Sequence, residues 1–196
     1  MDALTTLVQS LGIAYASGIS VYATVAMIGL ADRVGWIGPL PGELGALSSL
    51  WVIGLAGALA VIEFLATLIP GVASAWETVH SAIRPPAAAA LAVLTAWHGD
   101  PALVLAAGLL GGSLGLATHA TKVGVRYAID TSPEPVTNGA ANLAELGVVA
   151  SLAYAVWQHP YISLAVALAL LAVMILAVRL LWRTLRRALG ALRPRG

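Results

Sequence analysis

No acidic or basic residue occurs between Asp2 and Asp32, and four more long charge-free runs follow, at 44–62, 85–99, 101–121 and 146–178. A helix needs about 20 mostly apolar residues to cross a bilayer. Runs of this kind dictate an all-α polytopic membrane protein. Composition agrees: 60% of the residues are hydrophobic and 10% charged, where a soluble domain carries about 25% charged residues. The first run lacks a basic flank, so it is expected to be a span rather than a cleaved signal. The chain has no cysteine, which excludes disulfides and thiolate metal sites.

Prolines and intervening charges set the span ends. Gln158-His159-Pro160 should split the last run. The piece at 146–157 would then cover only roughly 18 Å as a helix, too little to cross. That helix must begin near Thr137, which puts Glu145 inside it. By the same argument the second helix stops at Pro70 rather than at Glu63. Glu77, His80 and Arg84 recur at i, i+3 and i+7, one helical face. Residues 72–98 read as one kinked helix with that face turned into the bundle. The competing reading is an interfacial amphipathic helix followed by a shorter dip into the bilayer. The expected helices are 3–31, 45–69, 72–98, 102–128, 137–157 and 161–188.

Nine of the ten basic residues are arginine, and six follow residue 178 (Arg179, Arg183, Arg186, Arg187, Arg193 and Arg195). The positive-inside rule keeps this end, with its basic tail at 191–196, in the cytoplasm. Six spans then bring the N-terminus to the same side. The expected location is the bacterial cytoplasmic (inner) membrane, with both termini inside. Trp36, Trp51, Trp97, Trp157, Trp182 and Tyr161 fall near span ends, as an aromatic belt requires.

Two octapeptides, PLPGELGA at 39–46 and PEPVTNGA at 133–140, share Pro-x-Pro-x-x-x-Gly-Ala. The same offset pairs Gly18 with Gly112 and Ala23-Thr24 with Ala117-Thr118. The expected architecture is an inverted repeat of three plus three helices, 1–99 and 100–190. An odd number of helices per half reverses the second half, a recurrent plan in transporters. Pro39, Pro41, Pro133, Glu134, Pro135 and Asn138 would mark equivalent helix starts on opposite faces. Helix N-termini attract anions and polar groups, although proline also suits a first turn for purely structural reasons.

Charges inside spans are costly, about 2.5–3.5 kcal/mol each on insertion scales, and face partners or water. Glu63 and Glu145 should both lie roughly 10 Å from the inner boundary. His119, Lys122 and Arg126 share a face of the fourth helix. The expected substrate- or ion-binding set is Glu63, Glu77, His80, Arg84, His119, Lys122, Asn142 and Glu145. Two readings stand side by side: ion pairs such as Glu63–Arg84 and Glu145–Lys122 that only fix packing, or a proton- or ion-responsive centre. No Walker loop, nucleophile elbow or metal-binding histidine pair occurs, so neither an enzyme nor a cofactor is expected. Gly111-Gly112-Ser113 and Ser17-Gly18 suit close helix contacts.

Glu63-Phe64, Ile69-Pro70, Ser74-Ala75-Trp76-Glu77, Val79-His80, Ile83-Arg84-Pro85, Thr131-Ser132-Pro133-Glu134-Pro135 and Asn138 together resemble a known family. It is the group of bacterial membrane proteins gathered as domain-of-unknown-function family 4126. The likeness covers nearly the whole chain, and Thr-Ser-Pro-Glu-Pro is its most specific part. Family members often carry Asp around positions 66 and 74, where this chain has Ala66 and Ser74. The resemblance implies an intact small membrane domain and adds weight to Glu63, Trp76, His80, Arg84 and Glu134.

The expected function is a small channel or secondary transporter for an ion or small polar solute. A chain this short encloses little space, so a homo-oligomer in the lipid bilayer is expected, and nucleic acid is not. The alternative is a structural or partner-organising membrane protein whose charges only pack helices.

Overall fold

The computed structural model describes residues 2–69, 71–129 and 135–191. Among them are eight α-helices and no strand: α1 (Ala3–Ile19), α2 (Val21–Arg33), α3 (Leu50–Ala66), α4 (Val72–His80), α5 (Arg84–Ala96), α6 (Pro101–Ile129), α7 (Pro135–Gln158) and α8 (Pro160–Ala191). A short 3-10 segment, Leu44–Ser48, leads into α3.

Two expected helices are broken. The run 3–31 divides at Ser20, whose backbone is extended (φ −151°, ψ 108°). No proline stands at the break. The Ser20 hydroxyl caps α2 instead, a role that serine favours over the helix interior. Residues 72–98 also divide. α4 ends at His80, a hydrogen-bonded turn covers 81–83, and Arg84-Pro85-Pro86 opens α5. Proline fits a first turn, where its missing N–H has no helical partner anyway. The expected stop at Pro70 lies outside the described residues; α3 closes earlier, at Thr67, whose N–H bonds to the Glu63 carbonyl.

Small residues bring the central helices together. Ala88, Ala92 and Ala96 of α5 meet Ala107 of α6 and Ala14 of α1. Gly111 and Gly115 lie beneath Ala92 and Ala88, and Gly18 of α1 approaches the backbone at Gly115. Spacing of this small-xxx-small kind lets helix backbones approach closely. A second packing layer joins Tyr15, Ala16 and Ile19 to Ala23, Val149, Leu152, Ala167 and Leu171.

The outside is apolar. α3 buries only Ala56 and Glu63, while Leu55, Val61, Ile62 and Leu65 are exposed and Trp51 is 89% exposed. Among the described residues α6 (over Pro101–Tyr127) and α7 (over Val136–Gln158) are long and apolar enough to cross a membrane. α1, α3 and the segment Pro160–Val173 are shorter apolar helices.

The two Pro-x-Pro segments enter their helices differently. Pro41 is followed by Gly42, at φ +58°, and the 3-10 segment before α3 starts at Leu50. A Cβ at Gly42 would strike the Leu94 carbonyl, so this turn requires glycine. Pro135 instead opens α7 directly; Pro133 and Glu134 lie outside the described residues. Ser20 corresponds by the repeat offset to Leu114, within the unbroken α6. The helix that breaks in the first half thus runs through in the second.

Candidate functional site

The site grows from the break at Ser20. The Ala23 N–H would close the helix ladder onto the Ile19 carbonyl, but it donates to Ser20 Oγ at 3.3 Å. The Ile19 carbonyl is thereby free, and it accepts from Lys122 Nζ of α6 at 2.8 Å. The Ser20 hydroxyl in turn donates to Glu63 Oε2 of α3 at 2.7 Å. The break therefore meets a cation through the Ile19 carbonyl and a carboxylate through the Ser20 hydroxyl. The polarity follows the helix ends, since a C-terminus favours cations and an N-terminus favours anions.

Lys122 stands at the centre. Its Nζ lies 3.0 Å from Glu77 Oε1, 3.0 Å from Glu145 Oε2 and 3.6 Å from Glu63 Oε1. Arg84, fully buried, forms ion pairs with both Glu63 and Glu77. Arg84 Nη1 also donates to His119 Nδ1 at 2.9 Å. The His119 proton therefore sits on Nε2, which donates to Ser81 Oγ at 2.9 Å. Arg126 completes the network on α6, bonding to Glu145 at 3.0 and 3.1 Å and to Asn142 Oδ1. Asn142 is anchored by its amide to the Phe64 carbonyl at 3.1 Å.

Three carboxylates thus face three cations across five helices. With His119 neutral, their formal charges balance. Removing one partner from such a buried group costs about 3–5 kcal/mol, because the other charge is stranded. The space left beside Ser20, Glu63, Asn142 and Glu145 is about 20 Å³, which admits about one water. An apolar cleft of about 300 Å³ between α1, α6, α7 and α8 reaches Lys122 and Glu145 from the side.

The structure brings together Glu63, Glu77, Arg84, His119, Lys122, Asn142 and Glu145 from the expected set. His80 borders them without joining. It stacks on Trp76 at 4.5 Å, donates from Nδ1 to the Trp76 carbonyl, and accepts from the Tyr22 hydroxyl at 3.2 Å. Pro39 and Pro41 make no contact with the cluster that involves a hydrogen bond or ion pair. Sequence reasoning placed Arg126 on the right face without assigning it to the site, and it missed Ser20 and Ser81. The only local signal for Ser20 is a serine three residues before the Ala23 N–H that it caps. Among the described residues no group of three His, Asp or Glu is placed to hold a metal ion.

An all-helical chain with a balanced ion network at a broken helix is the class defined by this geometry. The chain matches the family described as "Domain of unknown function (DUF4126)" over residues 7–180 and belongs to that family. Comparison with curated proteins and with solved structures gave no match.

Proposed function

We propose that this protein is a secondary transporter of the bacterial cytoplasmic membrane, moving an ion or small polar solute past Glu63, Lys122 and Glu145. The single observation that carries this reading is the anchoring of both ends of the break at Ser20, by Lys122 on the Ile19 carbonyl and by Glu63 on the Ser20 hydroxyl. Unwound helices whose freed backbone and polar ends meet charges are the usual transport site near the midplane. The reading takes six spans in an inverted three-plus-three arrangement, both termini inside, and no enzymatic chemistry. It also takes a homo-oligomer in the bilayer, because a chain of 196 residues encloses little space alone. The closed packing around Glu63 favours a transporter that opens to one side at a time over a standing pore.

A second reading has its own support. The charges balance and leave about 20 Å³ beside Glu63, as in a protein whose ions only hold helices together. Buried ion pairs are weak stabilisers compared with apolar packing of the same volume, so a purely structural network is an expensive choice. Flux through proteoliposomes bearing the wild type and the Glu63→Gln/Glu145→Gln double variant separates the two readings.

A further inference from the structure

Among the described residues, two buried side chains near Asn142 carry polar atoms without a hydrogen-bond partner. Asn138, on the first turn of α7, is fully buried, and neither its amide nitrogen nor its oxygen is hydrogen-bonded. Arg126, on the last turns of α6, is 2% exposed, and its Nη1 is likewise unpaired. The two belong to one locality. Arg126 Nη2 holds Asn142, and Asn138 lies one turn nearer the start of α7 on the same face as Asn142 and Glu145.

Buried donors in native proteins are nearly always satisfied, and a bound water or ion is one explanation for those that are not. The geometry points to an oxyanion subsite read by Arg126 Nη1 of α6 and the Asn138 amide of α7. The guanidinium supplies charge and a planar pair of N–H donors, which matches a carboxylate or phosphate edge. The Asn138 amide adds a neutral donor and, through its oxygen, an acceptor for a protonated oxygen. A spherical halide cannot use that acceptor. The inference deepens the transport reading by naming small oxyanions as the substrate class, and it is tested by binding rather than by flux.

The test is thermal unfolding of the detergent-purified full chain in sodium acetate, sodium phosphate or sodium chloride at matched ionic strength. Acetate or phosphate should raise the Tm saturably above the chloride value. Asn138→Leu removes the two unpaired atoms, so it should unfold at the same or a higher temperature without added oxyanion and lose the oxyanion-dependent rise. No rise in the wild type, an equal rise with chloride, or an unchanged rise in Asn138→Leu would each overturn the subsite. Equilibrium dialysis of the wild type against labelled acetate and phosphate gives the same decision if the variant does not fold. Binding without flux would remove the transport reading and leave the subsite standing; flux without oxyanion binding would do the reverse.

Discussion

Lys122 Nζ lies 2.8 Å from the carbonyl oxygen of Ile19, an acceptor whose partner in an unbroken helix, the Ala23 N–H, donates to Ser20 Oγ instead. A side chain on α6 thereby holds open a break in the first helix. The same ammonium touches Glu77 and Glu145 at 3.0 Å, so backbone conformation and charge balance depend on one atom.

Lys122→Met strands the Ile19 carbonyl and removes one of three balancing cations. Unfolding in mixed micelles by SDS titration should show a loss of about 3–5 kcal/mol. A loss below about 1 kcal/mol would place Lys122 outside any tightly coupled network.

Ser20→Ala removes the cap of α2 and the hydrogen bond to Glu63. Global stability should fall by about 1–2 kcal/mol. Locally the effect reverses, because the Ala23 N–H becomes free to bond the Ile19 carbonyl. Hydrogen exchange at Ala23 should slow relative to the global opening. Unchanged exchange there would mean that the hydroxyl does not hold the break.

Glu63 and Glu145 should differ in what their loss costs. The Glu63 side chain is 7% exposed and bonds to Arg84 and Ser20 as well as facing Lys122, whereas that of Glu145 is 25% exposed. Glu63→Gln should cost about 3 kcal/mol, as for a buried pair. Glu145→Gln should cost less, about 2 kcal/mol, because water reaches its quarter-exposed side chain and partly solvates the buried cations it leaves. The same micelle titration reads the order, and equal costs would contradict the assigned burial.

Asp2 offers a prediction in pH. It is exposed at the start of α1, and hydrogen bonds from the Thr5 N–H and hydroxyl hold its carboxyl below the ordinary value of 3.8. A lowered carboxylate stabilises the folded cap above that ordinary value and loses the contribution as pH falls through the lower, folded one. The Thr5 amide resonance should therefore move with acid only below about pH 3.8, and Asp2→Ala should abolish the movement. A midpoint at or above the ordinary value would contradict the capping bond.

The parts of the fold legible in the sequence are those written in charge spacing. Glu63 and Glu145 had to lie within helices because the charge-free pieces beside them are too short to cross. Glu77, His80 and Arg84 are all buried, as their shared face required. They converge although α4 and α5 are separate helices, since the turn at 81–83 keeps Arg84 above Glu77. The break at Ser20 was not legible. Serine is tolerated inside helices, and the lysine that meets the freed Ile19 carbonyl lies about one hundred residues away. The repeat pairs Pro41 with Pro135, but a turn that needs Gly42 against the Leu94 carbonyl separates their local structures. Sequence periodicity carries no information on such a contact.

The most direct test is swelling of proteoliposomes in iso-osmotic sodium acetate, potassium acetate, sodium phosphate and sodium chloride, followed by light scattering. The wild type should swell faster than protein-free liposomes in at least one oxyanion salt. Glu63→Gln/Glu145→Gln, shown folded by its circular dichroism, should not. No wild-type swelling above protein-free liposomes in any of the four salts, or equal swelling with the double variant, would contradict transport past Glu63 and Glu145.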